Sequence, residues 1–367
     1  MLRIYLSLAD PGNYGWGVCS KYLAEELAKC CEVISLSPEH MDWNNPNLPG
    51  VHLMALAGHL QTRSAARGIL NIGYTFFEGR LSDQAIRNAT YYDHIFVGST
   101  WCQKLALEAG LKHTSVLIQG IDLELFHQKD GSDPSRKKSS SPFVVFSGSK
   151  IEYRKGQDLT IAAFKKIQEL HDDIHLVTMW DNYLKDSIQT MSCSPHIKFE
   201  LKGKDWEEKV LHLCKINGLD TSRIFVLPLA AHTECPIVYR ESDMGIFPSR
   251  CESGTNLVLM EYMACGKPAI VSATGGHLDI INDSNVISLK ELKNVEIPDY
   301  YEKSLSVTWQ EASIDELIEK INYGYCQREE IREIGLLGAE TMKQHTWSKT
   351  ADRLVRKCEE LLDNNKQ

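Results

Sequence analysis

Short apolar runs alternate with amphipathic stretches along most of this 367-residue chain, in two series separated by a polar gap. Alternation of that kind demands parallel strands joined by covering helices, because neither element can bury its apolar side without the other. Strands are predicted at 4–8, 32–36, 52–57, 69–73, 94–98 and 115–119, and again at 143–146, 174–179, 224–227, 244–247, 269–272 and 286–289. Between the first two, Val18, Tyr22, Leu23, Leu27 and Cys30 recur at helical spacing, which makes the opening a βαβ unit. The stretch 128–141 (QKDGSDPSRKKSSS) has nothing to bury and reads as a linker. The division is therefore 1–127, a doubly wound Rossmann-like domain; 128–141, the linker; 142–345, a second Rossmann-like domain; and 346–367, a tail helix. Trp347, Ala351, Leu354, Val355, Cys358, Leu361 and Leu362 share one face of that helix, which must pack on something. Two such α/β domains imply a cleft, where ligands bind.

Charge and cysteine usage narrow the function. A formal net charge of −9 argues against a nucleic-acid partner, which needs a basic field. No run of about 18 apolar residues suggests a membrane span, and the chain opens on a strand-like stretch instead of a signal core, so a cytoplasmic protein is expected. Eleven cysteines lack C-x-x-C pairs or histidines at zinc spacing and read as reduced thiols.

The most informative stretch is 247–270, FPSRCESGTNLVLMEYMACGKPAI, which follows a strand and opens a helix after Gly254, Thr255 and Asn256. Thr255 or Asn256 can cap that helix, leaving backbone N–H groups of its first turn, around Leu257, able to receive a phosphate. Glu261 is the only charged side chain in 257–266 and needs hydrogen-bond donors, which a ribose would supply. Its alternatives are a solvent-facing acid or one paired within the protein; a capping box fails, because Val258 or Leu259 holds the required position. Glu252 lies beyond the carboxyl end of a strand, where open α/β sheets bind ligands, or is an ordinary loop acid.

These residues resemble the donor site of retaining GT-B glycosyltransferases, specifically glycosyltransferase family 4 (glycosyl transferases group 1). The family spaces two glutamates by seven residues before an Ala-Met-Ala-Cys-Gly stretch; here eight residues separate Glu252 from Glu261, and Tyr262 to Pro268 keep the remainder of the pattern. The resemblance implies a GT-B fold, with Glu252 near the donor sugar and Glu261 near the ribose. It also places a basic pair at the diphosphate. In 145–156 (VFSGSKIEYRKG) Lys150 holds the family's arginine position and Lys155 the lysine position, with Arg154 as the substitute should Lys150 be idle. Either lysine alone is also readable as a solvated loop cation. Gly12, Gly15 and Gly17 form a turn that the resemblance turns toward donor phosphates and acceptor, although a plain strand-to-helix turn reads equally well. Gly276, in Gly275-Gly276-His277, falls where the family places a glycine turn near the donor, and His277 is readable as a helix-start histidine.

The family often offers a histidine near the transferred sugar, but none occurs between His59 and His94. Glu78 stands in that region instead, either as an acceptor or sugar contact or as a partner of Arg80 or Arg87. The implied reaction is transfer of a hexose-type sugar from a UDP- or GDP-sugar with retention, Lys150 and Lys155 offsetting the leaving charge and Glu252 positioning the sugar. No D-x-D sequence occurs, so no essential metal and no cofactor beyond the nucleotide-sugar co-substrate is expected. Acceptor identity stays open among carbohydrate, lipid-linked and protein classes, as does peripheral membrane contact. A sugar-nucleotide epimerase and an inactive nucleotide-sugar-binding protein are the competing readings; a dehydrogenase lacks its dinucleotide fingerprint.

Overall fold

The computed structural model describes residues 1–10, 12, 14–36, 47–62, 64–128, 141–182, 184–228, 230–298 and 306–364; the linker at 128–141 thus falls almost wholly outside the described residues. The first lobe runs β1 (Arg3–Ser7), α1 (Gly15–Ala28), β2 (Glu32–Ser35), β3 (Asn47–Ala55), β4 (Arg67–Thr75), α2 (Asp83–Ala89), β5 (His94–Val97), α3 (Thr100–Glu108) and β6 (Thr114–Val116). The second runs β7 (Phe143–Ser149), α4 (Gln157–Leu170), β8 (Ile174–Trp180), α5 (Lys185–Gln189), α6 (Trp206–Ile216), β9 (Ile224–Val226), α7 (Cys235–Glu241), β10 (Met244–Phe247), α8 (Leu257–Ala264), β11 (Ala269–Ser272) and β12 (Ile287–Leu289). A hairpin, β13 (Leu292–Pro298) and β14 (Ser306–Ala312), and the helices α9 (Ile314–Cys326), α10 (Arg328–Met342) and α11 (Trp347–Asn364) follow.

Each lobe is a six-stranded sheet, ordered β2-β1-β3-β4-β5-β6 in the first and β12-β11-β10-β7-β8-β9 in the second. Every pairing within the two sheets is parallel. All twelve strands anticipated from apolar periodicity are present, with ends shifted by a few residues. Strand order reverses between β1 and β3 in the first sheet and between β7 and β10 in the second, and each reversal opens a crevice at the carboxyl ends of the strands.

Two features depart from the alternation read in the sequence. The crossover from β3 to β4 carries one 3-10 turn, Gly58–Leu60, in place of a helix, with His59 and Leu60 at positive φ. The antiparallel hairpin β13–β14 was not anticipated, because its strands are rich in Lys, Asn, Glu, Thr and Gln and belong to neither parallel sheet. The tail helix α11 lies against α1, with Trp347 stacked on Tyr22 at 5.6 Å between ring centres, interplanar angle 2°. Leu354 and Cys358 join Leu23, Leu27 and Cys31 in one core. All eleven cysteines are free thiols.

Candidate functional site

The switch point of the second sheet lies between β7 and β10, and the chain leaving these two strands brings the sequence-predicted residues together. After β7 come Lys150 and a 3-10 turn, Tyr153–Lys155, which delivers Arg154 and Lys155. After β10 the chain carries Arg250, Glu252 and Gly254 to the start of α8, where Asn256 is the cap; its Oδ1 accepts from Leu259 N at 3.4 Å. Thr255 is the alternative cap that the fold does not use: its hydroxyl donates to the Met260 sulfur instead. Asn256 sits at φ 64°, a conformation unusual outside glycine and one that asparagine tolerates better than most. Leu257 is buried in the core below.

Glu252 is the hub. It is 3% exposed, and its carboxylate accepts from Lys155 Nζ at 2.7 and 2.9 Å, Arg154 at 3.1 Å, Ser249 Oγ at 2.6 Å and Asn256 Nδ2 at 3.0 Å. Burial opposes its charge, yet Lys155, Arg154 and His277 more than offset that and hold its pKa down at about 2. Burial lowers the pKa of Lys155, an effect that neighbouring Arg154 reinforces and Glu252 partly opposes. Burial likewise opposes the charge on Arg154, but Glu152, Glu78 and Glu252 hold its guanidinium protonated. Arg154 donates to Glu152 at 2.6 Å and to the Cys251 carbonyl at 3.0 Å. Lys150 sits at the margin, 3.8 Å from Glu152 with a third of its side chain exposed. Arg154, not Lys150, therefore occupies the centre of the charge cluster, because the 3-10 turn swings it inward.

Glu261 takes the paired alternative of the sequence reading. The donors it needs come from the protein: His232 Nε2 lies 2.6 Å from Oε1, and Tyr239 Oη donates at 3.2 Å to Oε2. The His232 ring lies in turn 5.8 Å from Tyr22 and 5.0 Å from Phe126, which puts Glu261 at the junction of the two lobes. His232 stands in the 3-10 turn His232–Glu234 and Tyr239 in α7, so no local pattern in the sequence marked them as donors to Glu261.

The lobes meet around the Glu252 loop. The Ser253 carbonyl accepts from Ser99 Oγ at 2.7 Å and from the Cys102 thiol at 3.0 Å, and Thr100 N donates to Asp279 at 2.7 Å. Glu78 pairs with neither Arg80 nor Arg87. It crosses to the second lobe, where Oε1 accepts from Ser253 Oγ at 3.1 Å and lies 3.7 Å from Arg154 Nε. Gly276 sits where these loops converge: a Cβ there would lie 2.0 Å from the Gly254 carbonyl oxygen, and its N–H donates to the Glu252 carbonyl at 2.7 Å. His277 is wholly buried, with Nδ1 3.0 Å from the Ser272 carbonyl and Nε2 4.0 Å from Glu252; burial lowers its pKa. In the first lobe Gly15 is exposed at the start of α1, and Gly17 is buried against the backbone of Asp10 and Gly12.

Sequence reasoning missed Arg250, which is fully buried and makes five hydrogen bonds, to Glu311, Asp158 and the Tyr153 carbonyl. It ties the loop after β10 to the turn after β7 and to the hairpin strand β14. The result is a pair of largely covered cations, Arg154 and Lys155, their side chains 11% and 10% exposed, held in place by carboxylates and facing the other lobe. Such a site can receive a doubly charged phosphate group.

Residues 128–296 match the family model of glycosyl transferases group 1. A D-inositol 3-phosphate glycosyltransferase from Xylanimonas cellulosilytica is 26% identical over 184 residues, 48% of this chain and 38% of that protein. Spore coat protein SA of Bacillus subtilis is 21% identical over 179 residues, 46% of this chain and 43% of its own. The chain thus spans less than half the length of these curated relatives. Sucrose-phosphate synthase from Thermosynechococcus elongatus superposes with a TM-score of 0.68 at 15% identity, covering 99% of this chain and 100% of that one. HepE from Anabaena, solved in complex with UDP-glucose, superposes with a TM-score of 0.66 at 13% identity, covering 98% of this chain and 100% of that one. The fold is that of the GT-B glycosyltransferases, two parallel six-stranded sheets with helices.

Proposed function

We propose that this chain is a retaining family 4 glycosyltransferase that moves a hexose-type sugar from a UDP- or GDP-sugar to an acceptor hydroxyl. The observation that carries the reading is the largely covered Arg154–Lys155 pair at the switch point between β7 and β10, held on Glu252 and turned toward the other lobe. When the bond from the anomeric carbon to the diphosphate oxygen breaks, that oxygen takes the electron pair, and Lys155 and Arg154 offset the charge that builds there. Lys150 sits outside them and adds a third cation that reaches the diphosphate from solvent. Backbone N–H groups at the start of α8, around Leu257, face the same anion.

Glu252 plays two parts in this scheme. It keeps the two cations in register while the site is empty and lies where the donor sugar would meet the cleft. Glu261, already held by His232 and Tyr239, offers a pre-oriented carboxylate to the ribose. Three protein cations give the leaving group its counter-charge, so turnover should persist in EDTA. The free thiols fit a cytoplasmic setting, and among the described residues no helix is long and apolar enough to cross a membrane.

The test needs no acceptor. Wild type, Lys155→Ala and Glu261→Ala are melted with UDP, GDP, ADP and NAD; a ligand at about 100 times its Kd stabilises by about 2.7 kcal/mol. One nucleoside diphosphate should raise the wild-type Tm, with the rise lost in Lys155→Ala and reduced in Glu261→Ala. A shift with NAD alone would overturn the transferase reading. UDP-glucose is the first donor to try, because HepE was solved with it.

A further inference from the structure

The hairpin β13–β14 stands outside both parallel sheets, and its β14 side chains alternate by face, with Val307, Trp309 and Glu311 on one side. Val307 and Glu311 are buried and Trp309 is half-buried, so this face points inward. Glu311 anchors it: the carboxylate accepts from Arg250 Nε at 2.8 Å and Nη2 at 2.6 Å, and the Arg250 guanidinium lies 3.7 Å from the centre of the Tyr153 ring. Two residues before that anchor, Trp309 reaches across to the first lobe. Its Nε1–H donates to the Glu78 carbonyl at 2.7 Å, and the Tyr153 ring lies 6.5 Å away at a tilt of 32°.

The indole's polar edge is satisfied by the first lobe, while the residue stays partly accessible. Beside it the Glu78 side chain is 32% exposed. Its Oε1 is engaged by Ser253 and Arg154, and Oε2 accepts no hydrogen bond among the described residues. An aromatic face next to a half-engaged carboxylate is the chemistry that recognises a sugar ring, the apolar C–H face lying on the indole and hydroxyls donating to the carboxylate. Contact of Glu78 with Arg154, which also holds Glu252, makes this patch continuous with the proposed donor site.

On these grounds, and resting on the transferase reading above, we infer that Trp309 and Glu78 form the acceptor subsite and that the acceptor is a saccharide or glycoside. A lipid tail would want a wider apolar wall, and a peptide would want backbone partners along a strand edge.

Calorimetric titration of wild type, Trp309→Ala, Trp309→Phe and Glu78→Gln with methyl glycosides and disaccharides of glucose, galactose and mannose, with and without UDP or GDP, decides this. At least one saccharide should bind wild type, and Trp309→Ala should weaken it about tenfold, as expected for loss of a stacking face. Trp309→Phe should stay within about threefold of wild type, because the ring remains although the N–H is lost. Glu78→Gln should weaken the same saccharide, and nucleotide affinity should hold in both Trp309 variants. The subsite is overturned if no saccharide binds wild type, or if Phe fails as badly as Ala, which would make Trp309 a strap working through its N–H. If neither UDP nor GDP binds wild type, the transferase reading falls, and the titration without nucleotide still decides whether Trp309 holds a sugar.

Discussion

Replacing Glu252 by glutamine should remove a pH-dependent part of the protein's stability. In the folded chain burial opposes the Glu252 charge, but Lys155, Arg154 and His277 outweigh it, so the pKa is about 2 against an ordinary 4.5. Because the folded value is the lower one, the unfolded chain binds the extra proton between the two. The stabilisation is therefore complete above about pH 4.5 and is lost as pH falls toward 2. At about 1.4 kcal/mol per pH unit, the full gap amounts to roughly 3 kcal/mol, of which about 2 is gone by pH 3. Glu252 is almost wholly buried, so screening by solvent does not discount this figure. Glu311, also held at about 2, titrates in the same window but is common to both proteins and cancels in their difference. Urea unfolding of wild type and Glu252→Gln, followed by fluorescence from about pH 7 down to pH 3, should show the wild-type advantage shrinking by about 2 kcal/mol. An advantage that stays constant over that range would refute the assignment of the low pKa to the Lys155–Arg154 pair.

Arg250→Met should destabilise by about 3–5 kcal/mol in the same unfolding assay, because Asp158 would be left buried without its cation and Glu311 would keep only Lys293 and His196. Arg250→Lys should recover little of it, since an ammonium cannot reproduce five directed bonds. At the lobe junction, a Cβ on Gly120 would lie 2.2 Å from the Trp347 backbone nitrogen, so Gly120→Ala should lower stability by about 2–3 kcal/mol and raise proteolysis of α11. Ser99 Oγ accepts from Cys102 N at 3.1 Å as well as donating to the Ser253 carbonyl, and Ser99→Ala should cost about 1–2 kcal/mol, read as a fall in Tm.

The parallel strands were legible because most are short apolar runs, and the central ones, β5, β10 and β11, are buried on both faces, a demand that shows in local composition. The β14 strand was visible in principle, since Val307, Trp309 and Glu311 alternate with polar residues, but its pairing with β13 and the distant Arg250 that seats Glu311 carry no apolar run to announce them. The basic pair was located by motif, yet which residue takes the centre depended on the 3-10 turn that brings in Arg154 and leaves Lys150 at the margin. Glu261 was rightly marked as a carboxylate in need of donors. Of the alternatives read for it, the paired acid is the one the fold displays, and its partners were not legible because His232 and Tyr239 precede it by 29 and 22 residues with no local pattern to join them. Glu78 shows the same limit, since its arginine partner comes from the other lobe.

The packing of α11 on α1 sets an order of events at the ribosome. The apolar face of α1 shares a core with Trp347, Leu354 and Cys358, so the first lobe cannot finish that core until these late residues have been made. The strands of the second sheet all lie between Phe143 and Leu289, and that lobe can complete its sheet sooner. At about 5–20 residues per second, the first lobe waits on the order of ten seconds or more with Tyr22 lacking its stacking partner and the α11-facing side of α1 uncovered. For that interval the newborn chain offers a sticky helix face to chaperones and to its neighbours on the same message, and a stop codon before Trp347 would make the exposure permanent.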